Sequence, residues 1–457
     1  MKNPLHLLVL LATVSTLLAQ GPLAPPSTGD TTAGQLPPLN AGVPQASMKT
    51  LHQIEPRIDL NGPAIAGVLG SDTGNEIVIS APGSYYLSKN LAVNKVRGIK
   101  VDAAGVTIDM MGFEIARASG SGGVGIIIWE TRFCSVRNGN IRGFDYGVEE
   151  TGGGADCQFE ALTFTACSIV GLDAGAAARI VRCSVYNSSG SGISASSASV
   201  LIDCLVSNCT STSSTNFLSA GAGSILTRCS VFNNTCSSGS ATGIGVADNV
   251  ILDACSATNN RSTNGICLGI SAGSGCILRQ CVGSNNTGAV AGSFGILAVH
   301  NSQLLNCAAN ANSSTAGVLT GSTGGGIRIY DNSVADQCTA SNNKGDGILL
   351  SGPGGIARGN TCTFNGSPTG DAAGVHAVGQ TCVIENNVVI SNDRGVEASS
   401  FGALIIQNRS AANSTSYVIA TNNKVGTIVL APFSGAISGA TGGAGVGTTD
   451  PWANLSY

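Results

Sequence analysis

The chain predicts an all-β fold wound as a parallel β-helix, and three observations carry that expectation. First, one unit recurs: GIGVADNVILDACSATNN from Gly243 returns as GILAVHNSQLLNCAANAN from Gly295 and as GIRIYDNSVADQCTASNN from Gly326. Glycine-aliphatic starts fall at Gly98, Gly125, Gly147, Gly171, Gly192, Gly243, Gly269, Gly295, Gly326, Gly347, Gly374 and Gly395. Most intervals are roughly 21 to 31 residues, the spacing of a repeat array. Second, no copy holds ten residues of helical periodicity, while each has room for three strands of three to five residues between Gly, Asn and Ser turns. Third, aromatics make up only 4% of the chain and glycine reaches 63 residues, so the core must come from small aliphatic side chains stacked regularly. A helical or leucine-rich solenoid is disfavoured, and a propeller blade would need a period nearer 40 residues.

Taken in order, Lys2 followed by LHLLVLLATVSTLLAQ, with Ala19 as a small residue for cleavage, has the form of a secretory signal over residues 1–19. The apolar run is too short to span a bilayer comfortably, and no later segment is long and apolar enough to do so. No cysteine precedes Cys134, so a lipid-modified cysteine after cleavage is not expected. Residues 20–47 have the Pro, Gly, Ser and Thr composition of a linker. Ten of the fourteen prolines lie at or before Pro82 and none falls between 83 and 352, which suits a long uninterrupted sheet. Residues 48–82 are expected to cap the first exposed sheet edge. GSYYLSKNLAV (83–93) reads as the first regular strand, and the β-helix is expected over 83–433, with 425–433 as one buried strand. Residues 434–457 form a Gly-rich tail in which Trp452 and Tyr457 fold back over the last coil. The result is a single-stranded parallel β-helix of about a dozen coils, three short strands per coil, on the order of 60 Å long. Right-handedness is adopted from the bias of parallel connections.

Cys183, Cys204, Cys229, Cys255, Cys281, Cys307, Cys338 and Cys362 take one place in successive copies, and four residues later stands Asn187, Asn208, Asn233, Asn259, Asn285 or Asn342. A column of inward thiols is a packing device. The asparagines are expected to bond backbone groups of neighbouring coils at the turn. With no C-x-x-C pair, no metal site is expected, and no cofactor. Export permits disulfides, and Cys167, Cys209, Cys236 and Cys267 are the better candidates, with their pairing open. A net charge of -4 with pI near 5.6 argues against a nucleic-acid partner. Sequons such as Asn187, Asn233, Asn285 and Asn413 follow from turn composition alone.

PGSYYLSKNLAV (82–93) and GIKVDAAGVTIDMMGFEI (98–115) resemble the opening coil of secreted bacterial right-handed parallel β-helix repeat proteins with a pectate-lyase-like fold. The resemblance implies the fold, its right hand, export and contact with carbohydrate. The N-T-D, D-D, G-H-G and R-I-K motifs of polygalacturonase-like enzymes are missing from the sequence, as is the Asp cluster with a nearby Arg of a pectate lyase.

The residue after each Gly-aliphatic pair points outward, and over four successive coils it reads Arg328, Leu349, His376 and Glu397. His376 and Glu397 are then expected about 5 Å apart, one coil spacing. Turn residues ahead of these strands add Asp346, Asp371, Asp393 and Arg394. Two carboxylates with a His and an Arg make the minimum kit for glycoside hydrolysis or lyase chemistry, so His376, Glu397, Arg328, Asp346 and Asp393 are the candidate catalytic residues. The plain alternative is a set of solvated polar positions on the outside of a rod. Asp173 and Glu149 look isolated, and His300 has no evident partner. The expected role is an exported carbohydrate- or cell-envelope-binding or structural surface module. The alternative is a polysaccharide lyase or glycoside hydrolase with an outward groove near the C-terminal coils. An enzyme would concentrate the candidate residues; a scaffold would scatter them.

Overall fold

A coil of parallel strands must turn sharply at each corner without orphaning backbone groups, and left-handed residues make such turns. In one corner column stand Asn187, Asn208, Asn233, Asn259, Asn285 and Asn342, with φ between 51° and 57°. Asparagine enters this region more readily than other residues with a Cβ. The computed structural model describes residues 57–120, 122–315, 324–366, 370–430, 436–439, 444–445 and 449–457. The expected signal and linker lie outside the described residues.

The described chain is all-β, a right-handed parallel β-helix of about 15 turns, somewhat more than the dozen expected. One ladder of longer strands runs from Asn75–Ile79 to Ala436–Gly439, every neighbour parallel, with a register shift between Thr415 and Tyr417 at its last pair. The shortfall in the expected number has a simple cause. Ile77, Leu218 and Tyr417 pair with Ile99, Ile193 and Val396, but Glu76, Phe217 and Ser416 precede them where the other coils carry glycine. The expected first strand at 83–93 divides into Gly83–Tyr86 and Leu91–Val93, and the ladder already begins at Asn75. The run 425–433 likewise divides, into Lys424–Val425 and Ile428–Leu430, with 431–433 outside the described residues.

A second sheet is built from pairs of short strands on either side of a corner, such as Ile251–Asp253 and Ser256–Thr258. From Thr210–Ser211 to Ser313–Ser314 a two-residue strand adds a small third sheet, so these coils have four strands rather than three. Inside, Ile244, Ile270, Ile296, Ile327, Ile348, Val375 and Val396 form one fully buried row, and Leu226, Leu252, Leu278 and Leu304 another. The repeated glycine stands where two backbones approach: a Cβ on Gly269 would lie 2.4 Å from the carbonyl oxygen of Gly295.

The expected contact between the turn asparagines and neighbouring coils is made by the next residue instead. Asn234, Asn260, Asn286, Asn312, Asn343, Asn365, Asn392 and Asn413 are buried and pass hydrogen bonds from coil to coil. In each Asn-Asn pair the first residue supplies the left-handed turn and the second supplies the bonds.

In the thiol column, from Cys183 to Cys307 each carbonyl accepts the amide that follows the cysteine one coil on, and the Cys338 carbonyl accepts the amide that follows Asn360. Cys362 is a correction, because it pairs with Ala340, inside a strand. The column continues instead as Asn360, Asn387, Asn408 and Asn454, a second asparagine ladder. All sixteen cysteines, the off-column four included, are buried free thiols. Burial pushes Cys167 up to about 12 and Cys382 up to about 11, which disfavours the reactive thiolate. Native protein is therefore expected to give no reaction with a polar aromatic disulfide reagent, and full reaction in denaturant; rapid native labelling would contradict the packing.

At the N-terminal end Leu69–Gly70 runs antiparallel to Val78–Ile79. At the other end Asn454–Ser456 pairs with Arg409–Ala411 and Ile428–Leu430. That strand extends the sheet, while Trp452 and Tyr457, expected to fold over the end, stay about half exposed.

Candidate functional site

The period-two alternation of the long strands sends one residue of each outward, and the ladder stacks these residues in a row. Leu297 pairs with Arg328, Arg328 with Leu349, Leu349 with His376 and His376 with Glu397, the register expected from the glycine marks. The row is not the solvated face that the plain alternative supposes. Leu349, His376 and Glu397 are only 1%, 7% and 6% exposed.

Asp346 is a correction as well. It is not a turn residue but the first residue of the strand Asp346–Leu350, and it is fully buried. From the coil before His376, its carboxylate accepts the Ala373 amide at 2.7 Å and faces His376 Nδ1 at 3.1 Å. On the other side of the imidazole, Nε2 lies 2.8 Å from Ser399 Oγ and 3.8 Å from Glu397 Oε1. Ser399 Oγ in turn is 3.1 Å from Glu397 Oε1, which also accepts from Arg394 at 2.7 Å. Arg394 reaches Asp371 at 3.6 Å. Glu397 Oε2 is buried without a hydrogen-bond partner among the described residues.

The structure thus gathers Asp346, His376 and Glu397 on three consecutive strands and adds Ser399 and Arg394. Arg328 and Asp393 are engaged elsewhere. Arg328 donates to Ser351 Oγ at 2.8 Å and stacks on Tyr330 and Phe294, at 4.8 and 5.5 Å from their ring centres. Asp393 stays in the turn, its carboxylate against Gly366. Leu268, Phe294 and Leu349 form a separate apolar patch on this face. Sequence reasoning missed Ser399 because it follows the strand rather than occupying the outward row. Its signal was the hydroxyl two positions after Glu397, one coil on from His376.

Burial pushes Asp346 up to about 6 in spite of its bond to His376. Burial alone would lower His376, but the bond to Asp346 and the charges of Asp346 and Glu397 carry it above 6.5, against the opposing Arg394 charge. Both folded values exceed the unfolded ones, so both groups bind protons more tightly when folded. Their contribution to stability is fully present below pH 4 and lost as pH rises through 6 and past 6.5. Relative to an Asp346→Asn/His376→Gln double variant, the wild-type denaturation midpoint is expected to fall over that window; a constant difference would contradict the pairing.

Two other expectations change. Glu149 and Asp173 are partners in register on adjacent coils, each pushed up by burial, Glu149 further by the Asp173 charge. His300 lies 3.2 Å from Asp331 and edge-on to Tyr330. Two grooves lie away from the cluster. One, of about 420 Å³, is lined by Asn216, Ser219 and Ser271 on the long sheet. The other, of about 580 Å³, is lined by Leu404, Ile406, Lys424, Asp450 and Trp452. The convergence of ionisable groups, rather than groove size, selects the cluster as the candidate site.

Residues 168–334 match the family described as right handed beta helix region. No curated protein matches the sequence. Among solved structures, the chain is similar to the A-module of a mannuronan C-5 epimerase from Azotobacter vinelandii. That pair shares 13% identity over 80% of this chain and 92% of the other, at a TM-score of 0.38. A periplasmic alginate epimerase shares 13% over 74% and 83%, at 0.38. The catalytic unit of an alpha-1,3-glucanase from Streptomyces thermodiastaticus shares 12% over 87% and 70%, at 0.31.

Proposed function

We propose that this right-handed β-helix protein is an exported enzyme acting on carbohydrate, with its reactive centre at Asp346, His376, Glu397 and Arg394. One observation carries the reading: ionisable side chains from three consecutive strands of the long ladder converge in a buried cluster that leaves Glu397 Oε2 without a partner among the described residues. A buried acceptor without a partner is costly, and such a cost retained among converging ionisable groups favours a chemical role over a packing one. The convergence favours the lyase or hydrolase alternative over a scaffold with scattered polar positions.

In this reading His376 and Glu397 exchange protons with the substrate, Asp346 holds the imidazole, and Arg394 offsets developing negative charge. Along the same outward row, Ser194, Ser219 and Ser271 give an extended polymer short hydrogen-bonding side chains without strong charge. Recognition without turnover is the second reading. It is favoured by the half-exposed Trp452 beside Lys424 and Asp450, an aromatic face for a sugar ring with polar groups at its rim.

The test is a panel of acidic and neutral polysaccharides, following both binding and release of reducing or unsaturated ends. Glu397→Gln is expected to keep binding and to lose product release by about 100-fold or more. Cleavage that persists in both Glu397→Gln and His376→Ala would place the chemistry elsewhere. Binding without any release would favour recognition.

A further inference from the structure

We infer that Ser399 is a nucleophile and that the site hydrolyses an ester, the class to which an acyl group on a sugar hydroxyl belongs. The inference rests on the reading above only in placing reactive chemistry at the C-terminal cluster. Its basis is the order of three side chains. Asp346 is fully buried, His376 is 7% exposed, and Ser399, just past the strand Arg394–Ala398, is exposed. Asp346 Oδ2 stands 3.1 Å from Nδ1 and Ser399 Oγ stands 2.8 Å from Nε2. A buried carboxylate at Nδ1 holds the proton on that nitrogen, so the Nε2 lone pair can accept from Ser399 Oγ once that hydroxyl, which also donates to Glu397 Oε1 at 3.1 Å, turns to the ring.

The chemistry closes without another reagent. Ser399 Oγ attacks the ester carbonyl carbon as His376 Nε2 takes the hydroxyl proton. The bond to the alkoxy oxygen breaks as Nε2 returns that proton to the departing alcohol, leaving an acyl-serine. Water, deprotonated by the same nitrogen, attacks the acyl carbon, and its proton returns to Oγ as the carboxylic acid leaves. Ester and water give alcohol and acid. Arg394 donates to the same Glu397 oxygen that Ser399 meets, so the carboxylate beside the nucleophile is paired with a cation.

The experiment treats the full chain with a fluorophosphonate probe and locates the adduct by mass spectrometry, alongside turnover of p-nitrophenyl acetate. Label is expected on Ser399, with turnover falling at least about 100-fold in Ser399→Ala and staying unchanged in Ser400→Ala. Folding of Ser399→Ala is checked by its denaturation midpoint. Turnover should rise with pH through a midpoint above 6.5, as His376, faced by Asp346, Glu397, Arg394 and Ser399, loses its proton. Asp346→Asn should lower that midpoint as well as the rate, which loss of a merely structural contact would not do. No label on Ser399 in folded protein, or full turnover in Ser399→Ala, overturns the inference. If Glu397→Gln still abolishes polysaccharide cleavage in that event, the broader reading survives. If Ser399 labels while no polysaccharide binds, the ester chemistry stands and the carbohydrate reading falls.

Discussion

Asn286→Ala is expected to destabilise the fold by about 2–5 kcal/mol, although it touches no ionisable group. The Asn286 side chain accepts from both the amide and the side chain of Asn260, at 3.1 Å each. It donates to Ala257 O at 3.0 Å and to Asn312 Oδ1 at 3.2 Å. Alanine would leave two donors on the coil below without an acceptor, in a corner where Asn260 and Asn286 are 0% and 1% exposed. Water cannot replace the bonds unless the corner opens. The adjacent Asn285 is exposed and left-handed at φ 57°, so Asn285→Gly should be nearly neutral, and Asn285→Ala should cost only about 1 kcal/mol for the strained φ. Denaturation midpoints of the three variants check this; equal losses at 285 and 286 would show that the ladder does not carry the corner.

Gly347→Ala is expected to cost about 3 kcal/mol or more and to disturb the reactive cluster as well. A Cβ there would lie 2.6 Å from Gly374 O and 2.8 Å from Asn365 Nδ2. Both contacts are to groups fixed by the sheet and the asparagine ladder, so the strand itself must shift. Gly347 directly follows Asp346, and Gly374 lies two residues before His376. The same displacement therefore changes the Asp346–His376 contact. A fall in denaturation midpoint together with a changed pH dependence of stability is expected. Gly153→Ala is the comparison for left-handed strain alone, since a Cβ there meets nothing within 4 Å. If Gly347→Ala costs no more than Gly153→Ala, close approach is not the reason for the glycine.

Much of this was legible in the residues, because a solenoid writes its geometry as a period. Glycine marks fixed the register of Arg328, Leu349, His376 and Glu397, since parallel coils pair residues at equal places in the repeat. The marks failed where Phe217 and Ser416 replaced glycine, and the number of turns came out low for that reason. Cys362 was misplaced because its distance from its neighbours mimics the column while its strand register does not.

Local pattern therefore determined the all-β coil, its inward aliphatic rows and the alignment of its outward row. Those depend on backbone periodicity, which each repeat carries within itself. Only the tertiary structure decided which face residues lose water, because burial depends on what packs over a coil rather than on the coil's own sequence. It turned Asp346 from an expected turn residue into a buried partner of His376. It also brought Ser399 to the other side of the ring, through a diagonal contact between coils that no spacing within one repeat expresses.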